Sequence, residues 1–269
     1  MTALSHNRRQ QLCTALTHTA RRAGAIVMAH YSAGVTVELK SDDSPVTAAD
    51  REAEAMILDE LAGLAPDIPV ISEEAAAEGR LPDPGERFFL VDALDGTREF
   101  IRGASDFTVN IALIEDRVPV MGVIFAPVPD RMFYSWALGE AHESFEGADP
   151  RPLTVRPRPE RPLIVASRSH RDPATQDYID SFGEAELVSA GSSLKFCLIA
   201  AGEADVYPRF APTCEWDTGA GHAIMLHAGG HMKRLDGTDF LYRKQDSNYL
   251  NPGFIAWGGG AAPSFPQSA

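Results

Sequence analysis

Carboxylates in this chain gather at four places: Glu73 and Glu74 in VISEEAA, Asp92 and Asp95 in FFLVDALDGTREF, Asp217 in CEWDTGAGHAI, and Asp50 in SPVTAADREAE. The four apolar residues before Asp92 run into a glycine-containing turn, which reads as a buried strand emerging at the edge of a sheet. Two carboxylates at such a point repel each other unless positive charge lies between them. Oxygen ligands without His or Cys partners suit Mg²⁺. Each group also has a plainer reading. Asp95-Gly96 is a common turn dipeptide, Asp217 can serve as a helix N-cap, Glu73 and Glu74 suit the positive end of a helix dipole, and Asp50 suits a first helical turn.

The elements that would position these acids follow from periodicity. Leu12, Leu16, Ala20, Ala23 and Val27 recur at spacings of three and four, which predicts an amphipathic helix over residues 7–31. A second helix is expected over about 48–62, with Met56, Ile57 and Leu61 inward and Gly63 and Pro66 ending it. PVIS, RFFLVD, FTVNIALIE, PVMGVIFAP, RMFYSWAL and EAHESFE are short, rich in β-branched and aromatic residues, and separated by turns; they read as strands of a largely antiparallel sheet. Residues 149–162 hold five prolines, which remove donors and fix φ, so the boundary between two lobes is placed there. Beyond it, LIVAS, a helix near 173–182, AELVS, a helix near 192–201, ADVY and a helix starting near Asp217 alternate as α/β layers do. The glycine- and proline-rich tail after Gly258 is expected to be loose.

The chain has 269 residues, of which 44% are hydrophobic, enough for one large domain or two packed lobes. Arg and His interrupt the N-terminal segment, so neither a signal peptide nor a transmembrane span is expected, and a cytoplasmic protein is. Three scattered cysteines, Cys13, Cys197 and Cys214, match neither a disulfide framework nor a zinc cluster and read as inert thiols. With 24 basic against 38 acidic side chains the net charge is −14, which argues against nucleic-acid polymers as partners. A small anionic substrate stays open, because bound divalent cations can reverse the local sign.

The wording of two motifs goes further. VDALDGTREF resembles the D-P-I/L-D-G-T motif, and WDTGAGHAI the W-D-x-A-A-x-x-x-I/L motif, of the inositol monophosphatase superfamily of Mg²⁺-dependent phosphatases. With SEE upstream, the pairing is highly specific. DDSPVTAAD, FTVNIALI, SRSH, GSSLKFCLIAAGEADVYPR and NPGF are similar to segments of the bacterial 3'(2'),5'-bisphosphate nucleotidases, and the resemblance spans about residues 10–257. Two positions depart from the motifs. Ala93 stands in place of the usual proline, which loosens the backbone at Asp92 by ~0.4–1 kcal/mol, and Gly219 replaces an alanine inside a helix, at about 1 kcal/mol.

The resemblance implies an α/β fold of α+β layers: a two-lobed αβαβα sandwich with a mainly antiparallel N-terminal sheet and a mixed C-terminal one. Residues 1–155 would form the metal-binding lobe and 156–269 the nucleotide-binding lobe. It assigns Glu73, Asp92 and the Leu94 carbonyl to one Mg²⁺, and Asp92, Asp95 and Asp217 to a second, with Gly96 permitting the turn. Thr97 with Glu73 would orient and deprotonate the attacking water, and Asp50 would help hold that water or a third, weaker Mg²⁺. His170, Ser192, Lys195 and Arg209 would contact the nucleotide. Hydrolysis of the 3'-phosphate of 3'-phosphoadenosine 5'-phosphate to AMP is the implied reaction, with the sulfated analogue also a substrate. An inositol or other sugar monophosphatase is the alternative on the same fold, and a non-catalytic metal and nucleotide sensor the alternative of another class. The partner is a small nucleotide bisphosphate, the assembly a monomer or homodimer, and loose association with the cytoplasmic face of the inner membrane is compatible with the resemblance.

Overall fold

The computed structural model describes residues 3–34, 37–39, 45–145, 148–167 and 171–266. The first half runs α1 (His6–Ala33), β1 (Val37–Leu39), β2 (Pro45–Thr47), α2 (Ala48–Leu64), β3 (Val70–Ser72), α3 (Glu73–Ala77), β4 (Arg87–Asp95) and α4 (Thr97–Ile101). A meander follows: β5 (Thr108–Glu115), β6 (Val118–Ala126), β7 (Arg131–Ala137), β8 (Glu140–Phe145) and β9 (Arg151–Pro152). The remainder is β10 (Leu163–Ser167), α5 (Pro173–Asp180), β11 (Glu186–Ala190), α6 (Leu194–Ala200), β12 (Val206–Arg209), β13 (Thr213–Cys214), α7 (Glu215–His227), β14 (His231–Arg234), a 3₁₀ turn at Gln245–Ser247, β15 (Leu250–Asn251) and β16 (Phe254–Trp257).

Strands β3 to β9 form one seven-stranded sheet in sequence order, antiparallel except for the parallel pair β3 and β4. The second sheet has the order β11-β10-β12-β16-β14 and is mixed, with β10 parallel to β11 and β12, and β16 antiparallel to its neighbours. Alternation along the long strands fills both faces of the first sheet, as a period of two requires. Phe89, Val91, Ile111, Leu113 and Val123 join Leu12, Leu16, Val27, Ile57 and Leu61 of α1 and α2 in one cluster. Phe88, Leu90, Ala112, Ile114 and Ile124 face the other way, into a cluster with Phe196, Ala220, Ile224 and Met225 of α6 and α7 and with Tyr207 and Phe254 of the second sheet. The far side of that sheet packs Ile164, Val206 and Ile255 against Tyr178 and Ile179 of α5. The result is the expected αβαβα sandwich. Helix α7 lies so close to the first sheet that a Cβ on Gly122 of β6 would stand 2.3 Å from the Ala220 carbonyl oxygen.

Several boundaries differ from the sequence reading. Helix α2 continues through Gly63 to Leu64, because the Ala65 N–H still bonds to the Leu61 carbonyl. Helix α7 begins at Glu215, two residues before Asp217, and the N-cap of α6 is Ser193, not Ser192, which has φ 47° in the preceding turn. Through residue 266 the tail is not loose. Gly259 bridges Pro157, the Tyr178 hydroxyl donates to the Ser264 carbonyl at 2.8 Å, and Phe265 meets Trp257 edge-on at 6.0 Å. An aromatic anchor at position 265 outweighs the flexible composition around it.

Candidate active site

Strands β3 and β4 run parallel, so their C-terminal ends open on the same side of the sheet. Glu73 is the first residue of α3, directly after β3, and Asp92 and Asp95 close β4. Pairing of β4 with β5 is regular from Arg87 to Asp92, then slips: Asp92 faces Asn110 whereas Asp95 faces Thr108. This bulge places one extra residue between the two aspartates and re-aims the end of the strand, a common device beside active sites. Gly96 then takes φ 97°, where a Cβ would meet the Asp106 carbonyl at 3.1 Å, so only glycine turns the chain into α4 without strain.

Asp217 arrives from the opposite direction as the third residue of α7. Single oxygens of Asp92, Asp95 and Asp217 come within 4.8 Å of one another, the one cluster of this kind among the described residues. Each carboxylate has one oxygen already bound. Asp92 Oδ1 accepts from the Leu94 N–H at 3.0 Å and Asp217 Oδ2 from the Cys214 N–H at 2.7 Å, so Asp217 is both capping group and cluster member. Asp95 Oδ2 accepts from the Ser193 N–H at 2.5 Å, the Ser193 hydroxyl at 2.6 Å and Asn110 Nδ2 at 3.2 Å. Burial raises Asp92 well above the usual carboxylate range, reinforced by Glu73, Asp95 and Asp217. Asp217 is raised in the same way, first by burial, then by Asp95 and Glu73. Clustered, with Asp92 buried and Asp95 and Asp217 half-buried, and with no ion pair of their own among the described residues, these oxygens match the donor set of a hard divalent cation.

Glu73, Asp95, Gly96, Thr97, Ser192, Lys195, Arg209 and Asp217 line one cavity of about 750 Å³, and Asp50, Asp92 and Leu94 lie buried behind its wall. His170 falls outside the described residues. Glu73 is held by its neighbours, since the buried Glu54 accepts from Ser72 Oγ at 2.9 Å, the Glu74 N–H at 3.0 Å and the Ala75 N–H at 3.1 Å, pinning the start of α3. Asp50 Oδ2 accepts from the Thr47 N–H and hydroxyl at 2.8 and 2.6 Å, the capping box of α2. Its Oδ1 is 3.1 Å from the Thr97 hydroxyl, which also lies 3.2 Å from the Leu94 carbonyl. Thr97 is thus joined to Asp50 in addition to standing in one wall with Glu73.

In the lining of the same cavity Lys195 is buried, donating to the Ser192 carbonyl and, at 3.4 Å, to the Ala190 carbonyl, with its ammonium 5.2 Å from the Tyr207 ring centre. Burial pushes it down to about 8, with Asp95 opposing and Arg209 adding to the effect. Arg209 donates to the Ala211 and Pro212 carbonyls, both at 3.1 Å. Two residues that sequence reasoning did not select stand at the centre of this arrangement. Ser193 and Asn110 are both buried, and the lone Asn in the otherwise apolar strand FTVNIALI was the signal, because a buried amide requires partners. Departure from the motif at Gly219 also has a cause: a Cβ there would stand 3.0 Å from Leu90 Cδ1 and 3.1 Å from Ala112 Cβ.

Residues 8–258 match the model of the inositol monophosphatase family. The chain is 47% identical over 247 residues to the 3'(2'),5'-bisphosphate nucleotidase CysQ of Salmonella typhimurium, covering 91% of this chain and 97% of that one. It is 46% identical over 237 residues to the protein of the same name in Escherichia coli K12, covering 87% and 95%. A crystal structure of CysQ from Bacteroides thetaiotaomicron, a bacterial member of the family, superimposes with a TM-score of 0.77 at 37% identity over 93% of this chain and 97% of that one. The fold of a Thermotoga maritima inositol monophosphatase matches at a TM-score of 0.74, covering 90% of each chain. The chain belongs to the inositol monophosphatase family.

Proposed function

We propose that this protein is a 3'(2'),5'-bisphosphate nucleotidase that removes the 3'-phosphate of 3'-phosphoadenosine 5'-phosphate, releasing AMP and phosphate, and that also accepts the sulfated analogue. Supporting this are relatives matched over 95–97% of their own length and one observation above the rest: three convergent carboxylates and two buried basic side chains line or back a single cavity. The cations match a phosphate that is not cleaved, which inositol monophosphate lacks. Ala76, Leu81, Pro212, Trp216 and Leu250 line the same cavity, apolar surface suited to a nucleobase. No helix among the described residues is long and apolar enough to cross a membrane.

Glu73, Asp92, Asp95, Asp217 and the Leu94 carbonyl would hold two Mg²⁺, and Asp50 would help hold a third, weaker one or the attacking water. Bound there, the cations would offset the carboxylates' repulsion and stabilise charge on the entering and leaving oxygens of an in-line displacement. The protein's own groups do the rest. Thr97 donates its hydroxyl proton to Asp50 Oδ1 and so turns a lone pair toward the attacking water; Asp50 is fixed for this by Thr47, and Glu73 stands in the same wall. Glu73 would take a proton from the water as a bond forms between the water oxygen and phosphorus; the bond from phosphorus to the 3'-oxygen breaks, and that oxygen takes a proton from bulk water to become the 3'-hydroxyl of AMP, Glu73 returning its own to solvent. Lys195 and Arg209, tied to carbonyls on one side, keep remaining donors for the 5'-phosphate. We place the boundary between the metal-binding and nucleotide-binding lobes at residues 155 and 156.

Steady-state kinetics on 3'-phosphoadenosine 5'-phosphate, its sulfated analogue and inositol 1-phosphate, with Mg²⁺ saturating, test this reading. The bisphosphate should give the highest kcat/KM and AMP as product. Preference for inositol 1-phosphate would favour the sugar-phosphatase alternative, and binding of nucleotide without turnover the sensor.

A further inference from the structure

All three cluster carboxylates have one oxygen engaged, but the means differ. Asp92 and Asp217 are tied by backbone N–H groups within three residues of themselves, so their restraint is built into the local chain. Asp95 is restrained by side chains and backbone from other elements: Ser193, 98 residues away at the start of α6, and Asn110 of β5. All three of these bonds end on Oδ2. Ser193 Oγ accepts from Asn110 Nδ2 at 2.9 Å and has one proton to share between Asp95 Oδ2 and the Asp217 carbonyl, each at 2.6 Å, and Asn110 Oδ1 accepts from the Thr108 hydroxyl at 2.9 Å. Ser193, Asn110 and Thr108 are buried, at 2%, 1% and 1% exposure. The network therefore has little freedom to rearrange.

We infer that Ser193, with Asn110, is a positioning group that confines Asp95 to one-oxygen coordination and so gives the acid cluster its preference for Mg²⁺ over Ca²⁺. The inference rests on the metal-dependent reading above. Ca²⁺ takes six to eight oxygens at longer distances and uses bidentate carboxylates, whereas Mg²⁺ demands six near-octahedral ligands and takes carboxylates one oxygen at a time. A carboxylate with three donors on Oδ2 can offer Oδ1 only. Without the Ser193 hydroxyl, Oδ2 keeps the Ser193 N–H and the Asn110 amide but loses its third donor, so Asp95 gains freedom to rotate and offer both oxygens, which suits the larger ion and spoils the geometry needed by the smaller. Groups that orient a ligand in this way typically alter metal affinity by about 10–100-fold when removed.

The test is calorimetric titration of the metal-free full-length protein with MgCl₂ and, separately, with CaCl₂, for wild type, Ser193→Ala, Asn110→Ala and Ser193→Thr. Ser193→Ala should weaken Mg²⁺ binding by about 10–100-fold and change Ca²⁺ binding by less than about threefold in the weakening direction, so that discrimination collapses. Asn110→Ala removes the weakest of the three bonds and should move the ratio the same way by less. Ser193→Thr keeps the hydroxyl and should keep the ratio. Should Ser193→Ala fail to fold by circular dichroism, Asn110→Ala carries the measurement. Equal weakening of both ions would reduce Ser193 to a structural support and overturn the inference, as would an unchanged Mg²⁺ affinity. A wild-type protein that binds neither ion would remove the metal-dependent reading, and this inference with it.

Discussion

The two walls of the cavity reach order by opposite routes. On the β4 side, Asp92, Asp95 and Asp217 repel one another, and burial raises Asp92 and Asp217 well above the usual carboxylate range. On the α6 side, Lys195 and Arg209 are equally buried but tied to the carbonyls of residues 190, 192, 211 and 212, so each is held by the chain before any ligand arrives. One wall is complete only with added positive charge. The other is complete already and offers its spare donors. On the function proposed above, the acid wall would supply the driving force for cation binding, and the basic wall would supply shape and substrate choice.

Removing divalent cations strikes the incomplete wall and should have the largest effect. Turnover after exhaustive chelation is expected to fall to background and to return with Mg²⁺; full activity of the metal-free protein would break the comparison. Asp95→Asn acts on the same wall with nearly unchanged volume. It should fold normally and lose at least about 10²-fold in kcat, on the scale of one transition-state-stabilising group. If the folded variant keeps its original rate, Asp95 is a turn residue only.

Lys195→Ala strikes the other wall. Loss of a charge-assisted hydrogen bond of ~1.5–3 kcal/mol should lower kcat/KM for the bisphosphate by about 10–100-fold and leave any hydrolysis of inositol 1-phosphate almost unchanged. Equal losses on both substrates would assign Lys195 to support of the 190–192 turn. Because its folded value lies near 8, the charge is lost from the free protein as pH rises through that value. The wild-type kcat/KM for the bisphosphate should therefore decline above about pH 8, a limb absent from Lys195→Ala.

The last test reads the difference between two pH curves and contrasts the two ends of α7. Its inner part buries His222, pushed by burial down to about 3, and His227, pushed down to about 4. Between these values and the ordinary 6.5 the unfolded chain binds protons that the folded one does not, so stability falls as pH drops from 6.5 toward 4, by about 1.4 kcal/mol per group and pH unit. Asp92 and Asp217, with raised values, act in the opposite sense in the metal-free protein, which gains stability as they take up protons. Chemical denaturation against pH should show a steeper acid loss for the Mg²⁺-loaded protein than for the metal-free one. Parallel curves would mean that the acid wall is not strained without cations.

Much of this was legible in the chain. The stripe of Leu12, Leu16, Ala20, Ala23 and Val27, the strand meander and the acids at element ends all follow from local periodicity and turn chemistry, and the structure places them as expected. The bulge between Asp92 and Asp95 was not legible, because it arises from the register of β4 against β5 and leaves no local signature. Nor was Ser193, whose importance comes from contacts with Asp95, Asn110 and Asp217 across the fold. Ser192, the expected nucleotide contact, lines the cavity, but the helix opens one residue later at Ser193, and only the backbone conformation distinguishes the two serines. The tail shows the converse error, with composition favouring looseness until Phe265 meets Trp257.

Gly219 bears on how this molecule can change over evolutionary time. The methyl group that the family motif carries at this place would be tight here, 3.0 Å from Leu90 Cδ1 and 3.1 Å from Ala112 Cβ, so these neighbours would have to give by a few tenths of an ångström. Positions 90, 112 and 219 therefore form a coupled packing set on three separate elements, in which growth at one is easiest when matched by shrinkage at another. A lineage can restore alanine at 219 by first trimming its neighbours, and the order of those steps matters, because the helix that would be pushed aside also carries Asp217.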